Sequence, residues 1–200
     1  MDVDTALTST RAFRRRLDLS RPVDRAVISE CLDLAVRAPS GSDRRAWQFI
    51  AVDDPGLRAQ IGGFYRRGFE ENLAGRGLPA SPDLDSARYL AMNLGNVPVL
   101  VLACQKGRPP VGSESKLASF YGSIIPAIWS FQLALRSRGL GSTFTTAHLR
   151  HEREVAEVVG IPFDDVAQIA LIPVAHLRGD PASSSPRSAA EVTHWNRWGA

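Results

Sequence analysis

The chain has 200 residues, of which 44% are hydrophobic and 22% charged, with a formal net charge of +3. This balance is typical of one globular domain over residues 1–200 and excludes a largely disordered chain. The two cysteines form no CxxC pair, no run reaches the roughly 18 apolar residues of a membrane span, and the acidic, polar N-terminus has no signal-sequence pattern. We therefore expect a reduced, cytoplasmic protein with no membrane partner.

The first half of the chain carries mainly helical patterns. Apolar residues recur at the 3.6-residue spacing of a helix in several stretches, whereas "WQFIAV" alternates and is rich in aromatic and β-branched residues. The Gly and Pro content of residues 74–83 predicts an irregular loop. These patterns predict helices over residues 23–38, 57–69 and 86–94, and a strand over residues 47–52.

The second half contains two nearly continuous apolar runs and the longest helical pattern. Runs such as "VPVLVLACQ" are typical of central strands, which are buried on both faces. The long helix is apolar on nearly all sides, which predicts burial in the core of the domain or of a dimer. The predicted strands cover residues 97–105 and 166–177, and the predicted helices cover 117–139 and 152–159. Together the elements predict an α/β or α+β domain.

Widespread enzyme motifs such as GxxxxGK[ST], HExxH and GxSxG do not occur in the sequence. His148 and His151 have a spacing that suits a metal only on a helix with a third ligand, so we expect no metal site. Four other segments are candidates for a functional site, although each one alone is also explained as an ordinary structural feature. They are a charge run "RAFRRRLD", a helix-to-strand loop "APSGSDRRAWQF", a helix end "GLGSTFTT", and a lone arginine in "SPR".

In this order and at these distances, the four segments resemble the FMN-dependent nitroreductase family. That family has an "RRSVRRF"-like stretch, an "APSGSNxQPWxF" stretch, an "ALGLGS" turn and a late Lys or Arg, all converging on one flavin. The resemblance covers residues 10–192. It implies an α+β, three-layer α-β-α fold with a central, mostly antiparallel sheet and a long buried helix. It also implies a homodimer with two flavins at the interface, each lined by both chains, and Trp195 and Trp198 as candidates to clamp onto the partner.

The resemblance also implies which residues bind FMN. Arginines suit the phosphate, with Arg14 and Arg16 facing solvent or an ion pair, although a shift of one position would exchange Arg14 for Arg15. Residues 39–42 would hold one side of the isoalloxazine ring, and backbone groups of residues 145–147 would reach N5. The implied cofactor-binding residues are Arg11, Ala12, Phe13, Arg15, Pro39, Ser40, Gly41, Ser42, Asp43, Thr145, Thr146, Ala147 and Arg187, with Arg11, Arg15 and Arg187 on the phosphate.

The implied function is an NADH- or NADPH-dependent, nitroreductase-type flavin oxidoreductase acting on an electron-poor small molecule such as a nitroaromatic, a quinone or an activated alkene. Hydride would pass through flavin N5, so no catalytic side chain is expected. Phe13 stands where the family has Ser, Asp43 where it has Asn, and Arg45-Ala46 where it has Gln-Pro. These departures leave open a flavin-storage protein, or a dehydrogenase or oxidase of the same fold. A nucleic-acid-binding module using the arginines is a third hypothesis, but acidic residues flank the run, and we expect no nucleic acid partner.

Overall fold

The computed structural model describes residues 1–40, 46–74, 76, 79–179 and 188–199. Helices and strands alternate along most of this part of the chain, and short 3-10 helices occur at Leu94–Asn96, Ala147–His151 and Ala189–Glu191. The helices are α1 (Val3–Ser9), α2 (Arg25–Ala35), α3 (Pro55–Leu73), α4 (Pro82–Asn93), α5 (Glu114–Ser137) and α6 (Glu152–Val159). The strands are β1 (Trp47–Val52), β2 (Val99–Lys106), β3 (Leu140–Ser142) and β4 (Val166–His176).

The strands form one antiparallel sheet in the order β1-β2-β4-β3. The two apolar strands β2 and β4 therefore lie at its centre, as their continuous apolar runs predict. Alternate residues of β2 enter opposite cores, with Val101 on one face and Leu100 and Leu102 on the other. A register shift between Ala103 and Cys104 lets β4 contribute one extra residue at that point.

Helices cover both faces of the sheet and give the predicted three-layer α+β architecture. On one face, α2 and α5 pack against the sheet through residues such as Cys31 and Phe131. On the other, α3, α4 and α6 pack through residues such as Ile61, Leu90 and Val155. Each of these five helices turns apolar residues toward the sheet, because burial there removes them from water.

Side-chain caps set where several helices begin. Asp54 accepts a hydrogen bond from the Leu57 N–H before α3, and Ser113 accepts one from the Lys116 N–H before α5. The apolar patterns begin later than these caps, so the predicted starts at residues 57 and 117 are too late. At the other end, α6 stops at Gly160, whose φ of 72° is the left-handed conformation that glycine adopts readily.

Helix α5 is buried on one side only. Ile124, Phe131 and Leu135 are fully buried, but four apolar residues one turn apart are between 36% and 46% exposed. We call these the α5 stripe: Leu117, Tyr121, Ile125 and Trp129. By length and composition alone α5 could cross a membrane, but core helices of globular domains pass the same test. Its packing against the sheet identifies it as such a core helix.

Candidate functional site

The arginine segment, residues 11–18, is anchored by two apolar side chains. Phe13 is 3% exposed and Leu17 is fully buried, so the residues between them are held at the surface. The Phe13 N–H donates to the Ser142 carbonyl at 3.1 Å, and Leu17 pairs with Leu177 in an isolated antiparallel bridge. The segment is therefore fixed against the ends of β3 and β4.

Helix α4 holds two of the arginines. Arg14, for which the sequence indicates solvent or an ion pair, pairs with Asp83 at 2.5 Å. Arg15 donates to the Asp85 carbonyl at 3.3 Å and lies 5.4 Å from the centre of the Tyr89 ring. These contacts orient both guanidinium groups beside the start of α4.

Arg11 is engaged differently from its neighbours. Its guanidinium lies 5.8 Å from the centre of the Phe13 ring, and no carboxylate pairs with it in the part of the chain that the structure describes. A cavity of about 190 Å³ opens beside it, lined by Ser86 and residues 11–16. A concave surface rich in guanidinium groups suits a phosphate or carboxylate ligand.

The threonine segment, residues 142–147, follows β3. Ser142 is buried, and its hydroxyl accepts a hydrogen bond from Gln132 at 3.2 Å. Thr145 is fixed to β4, because its N–H and its hydroxyl both donate to the Leu171 carbonyl, at 3.1 Å and 2.6 Å. The expectation that all of residues 145–147 offer backbone donors therefore needs correction, since the Thr145 N–H is already used.

The N–H groups of Thr146 and Ala147 make no backbone hydrogen bond among the described residues. Thr146 is exposed, and Ala147 begins a 3-10 helix, where the first N–H groups have no acceptor within the helix. The Phe13 ring lies in the core and its N–H donates to the Ser142 carbonyl, so the side chain and the N–H of this residue are both engaged within the fold.

Tyr65 of α3 lies between the two segments. It is 5% exposed, and burial raises the pKa of Tyr65, while its contact with the Thr145 side chain and the cationic Arg14 partly offset that rise. In the fold it packs in one buried apolar cluster with Phe13 of the arginine segment and Ala147 of the threonine segment.

The second predicted segment is less completely described. Pro39 and Ser40 follow the end of α2, while Gly41, Ser42 and Asp43 lie outside the described residues, as does Arg187. Within the described part of the chain, no hydrogen bond joins Pro39 or Ser40 to the arginine or threonine segment. The structure thus brings together the first and third predicted motifs.

Sequence reasoning missed the partners supplied by α4. The sequence predicts that Asp83 lies in an irregular loop. In the structure, Ser81 caps α4, and Pro82 occupies its first turn. A capping serine followed by proline and by acids at Asp83 and Asp85 is the pattern of a helix start, and it could have revealed these residues.

The two histidines of "AHLRHE" lie in different surroundings. His148 is fully buried, neither ring nitrogen meets a hydrogen-bond partner among the described residues, and burial lowers the pKa of His148 to about 3. His151 contacts Glu71 at 3.1 Å and Glu154 at 3.2 Å. The described residues contain no cluster of three metal-ligating side chains, and this pair does not converge on one point.

Known proteins share both sequence and fold with this chain. The profile of the Nitroreductase family matches residues 8–176. An iodotyrosine deiodinase from Thermotoga neapolitana is 29% identical over 194 residues, which cover 94% of this chain and 95% of that protein. The crystal structure of an iodotyrosine deiodinase bound to FMN and 3-iodo-L-tyrosine superposes with a TM-score of 0.74 at 25% identity, over 100% of both chains. A BluB-like flavoprotein from Clostridium difficile 630 has the same fold, with a TM-score of 0.76 at 20% identity over 98% of this chain and 100% of that one.

Proposed function

Because the chain belongs to the nitroreductase family, we propose that it is an FMN-dependent oxidoreductase that takes hydride from NADH or NADPH and passes it to an electron-poor small molecule. The observation that carries this proposal is the junction of the arginine and threonine segments through the Phe13 N–H and the Ser142 carbonyl, 3.1 Å apart. It sets a cationic cavity beside free backbone donors, which are the two requirements of a flavin phosphate and a flavin ring.

The arginine segment is the proposed phosphate end. Arg11 has no acidic partner among the described residues, so its guanidinium can donate to phosphate oxygens without first breaking an ion pair. Arg15 is held by α4 but makes only one hydrogen bond there, which leaves further N–H groups for the same anion. We assign Arg187 as the third cation, on the resemblance alone.

The threonine segment is the proposed ring end. Bound FMN would supply hydride transfer at N5. Thr146 and Ala147 would offer backbone N–H groups toward that atom, while Thr145 holds the segment on β4. Residues 39–42 would pack on the ring from another side, with Asp43 near its polar edge. No side chain of this chain is assigned as an acid or base.

We further propose a cytoplasmic homodimer whose two sites are each lined by both chains. The α5 stripe exposes four apolar side chains that a second copy would cover. Trp195 and Trp198 are 78% and 93% exposed, and we assign them as a clamp onto that partner.

Reductive dehalogenation is a second candidate. It is favoured by two iodotyrosine deiodinases among the relatives, at 29% and 25% identity. Here two electrons from NAD(P)H and a proton would convert a carbon–halogen bond into a carbon–hydrogen bond and release halide. The proposed cofactor residues would be the same, so the two candidates differ only in the acceptor.

The test begins with the visible spectrum of the purified protein and of the FMN released on heating, with added FMN as a control. We expect about one FMN per chain. A colourless protein that does not take up FMN would contradict the proposal.

Anaerobic stopped-flow mixing with NADH or NADPH then follows bleaching of the bound flavin. Fast bleaching is expected, whereas a flavin-storage protein would be reduced slowly or not at all. Reoxidation of the reduced protein by a nitroaromatic or a quinone, compared with 3-iodo-L-tyrosine, separates the two candidate acceptors.

A further inference from the structure

We propose that Gly68 and Tyr65 are positioning residues of the flavin site, because together they fix the backbone of the threonine segment against α3. This inference rests on the proposed function. Neither residue has to touch the cofactor. Both are expected to affect flavin reduction in addition to their role in packing.

Gly68 allows a direct contact between two backbones. A Cβ atom built on Gly68 would overlap the Ala147 carbonyl oxygen and lie 3.1 Å from its carbon, with the Arg150 Cβ at 3.4 Å. Both Ala147 atoms belong to backbone, so no flexible side chain can turn away to make room. Any side chain at Gly68 would displace Ala147, and with it the N–H groups assigned to flavin N5.

Tyr65 lies three residues earlier, on the same face of α3. It is 5% exposed and packs in the same buried apolar cluster as Ala147 of the threonine segment. The threonine segment is therefore held by β4 through Leu171 and by α3 through Tyr65 and Gly68. A segment fixed from two directions keeps backbone donors in one orientation, which is how a protein presents N–H groups to a cofactor without rearrangement.

Two other glycines of α3 provide matched controls. A Cβ atom on Gly62 would lie 2.7 Å from the backbone N of Gly95, so Gly62 also allows a tight backbone contact, but with the turn before β2. A Cβ atom on Gly63 would meet nothing within 4 Å. The same substitution can thus be made at a tight contact with the proposed site, at a tight contact elsewhere, and in open space.

The experiment compares Gly68→Ala, Gly62→Ala and Gly63→Ala, each loaded with FMN. It measures the melting temperature, the absorption spectrum of bound flavin, and the anaerobic rate of reduction by NAD(P)H. We expect Gly68→Ala to shift the flavin spectrum and to slow reduction about tenfold or more. Gly62→Ala should lower the melting temperature but retain the wild-type spectrum and rate, and Gly63→Ala should match wild type in both flavin properties.

Tyr65→Phe keeps the inference testable if Gly68→Ala does not fold. It retains the buried ring and removes only the hydroxyl, whose pKa the Thr145 side chain lowers, so we expect a several-fold slower reduction with little change in melting temperature.

Equal flavin properties in Gly68→Ala and Gly62→Ala, or wild-type properties in Tyr65→Phe, would overturn this inference while leaving the proposed function intact. A wild-type protein that takes up no FMN would overturn both.

Discussion

Arg11 and Arg14 are three residues apart in one run of arginines, yet they make different contacts and have different proposed roles. Arg14 forms an ion pair with Asp83, and this pair holds the arginine segment to α4. Arg11 has no carboxylate partner among the described residues and faces the cavity. The sequence places both in the same charged run, and only the position of α4 separates the structural cation from the proposed ligand-binding one.

Removing the Arg11 guanidinium should weaken FMN binding. One charge-assisted hydrogen bond contributes about 1.5–3 kcal/mol, so Arg11→Ala is expected to raise the Kd for FMN about 10- to 100-fold. Fluorescence titration of the apoprotein with FMN measures the change. Arg88→Ala, on the exposed face of α4, removes the same charge outside the cavity and should bind like wild type. Equal affinity in all three proteins would refute the phosphate assignment.

His148 should make folding sensitive to mild acid. Burial lowers the pKa of His148 to about 3, whereas an unfolded chain has a histidine pKa of about 6.5. The unfolded state therefore binds a proton first as the pH falls. The contribution to stability is complete above about pH 6.5 and is lost by ~1.4 kcal/mol per pH unit toward the folded pKa, or about 2 kcal/mol between pH 7 and pH 5.

His148→Leu should remove this pH dependence, because it replaces the buried imidazole with an apolar side chain that has no proton to bind. Urea unfolding at about pH 7 and about pH 5 measures the difference. His194→Leu, at an exposed position, should keep the wild-type slope. An unchanged slope in His148→Leu would show that another group titrates.

For the helices and strands, the bounds that could be predicted from the sequence are those encoded by neighbouring residues. The bounds of β1 follow from its aromatic and β-branched residues, and the end of α6 follows from Gly160; both predictions are confirmed. The predicted starts of α3 and α5 were late, because their caps precede the apolar pattern. The order of motifs indicated the arginine and threonine segments, but no local pattern encodes the contact of Phe13 with Ser142 or of Gly68 with Ala147. Those contacts depend on packing between elements distant in sequence.

The end of α6 offers a test of one such local signal. Gly160 has a φ of 72°, and a Cβ atom there would meet nothing within 4 Å, so the cost of Gly160→Ala comes from the backbone alone. We expect a loss of about 1 kcal/mol in the free energy of unfolding, with Gly160→Asn losing less. Gly63→Ala, in a helix interior with open space, should gain about 0.5–1 kcal/mol. Urea unfolding would contradict the backbone explanation if both substitutions changed stability in the same direction.

At the scale of the whole molecule, the α5 stripe is the surface on which the proposed homodimer depends. Ile125→Arg places a charge in its middle, and burying that charge unpaired against a second copy is unfavourable. We expect a shift from dimer to monomer in analytical ultracentrifugation, together with loss of bound FMN if both chains line each site. Met92→Arg, at a 61% exposed position on α4, is the matched control and should remain dimeric. A dimeric Ile125→Arg protein would place the interface elsewhere.

The anchoring of the arginine segment also determines when the proposed site can form. Residues 11–18 are translated more than 120 residues before Ser142, His176 and Leu177, to which they bond. Closing loops of that length is slow and must await the last strand. These arginines are thus fixed only after partners that are synthesised much later. FMN would therefore join a nearly complete fold, and the early part of the chain must reach its structure without help from the cofactor.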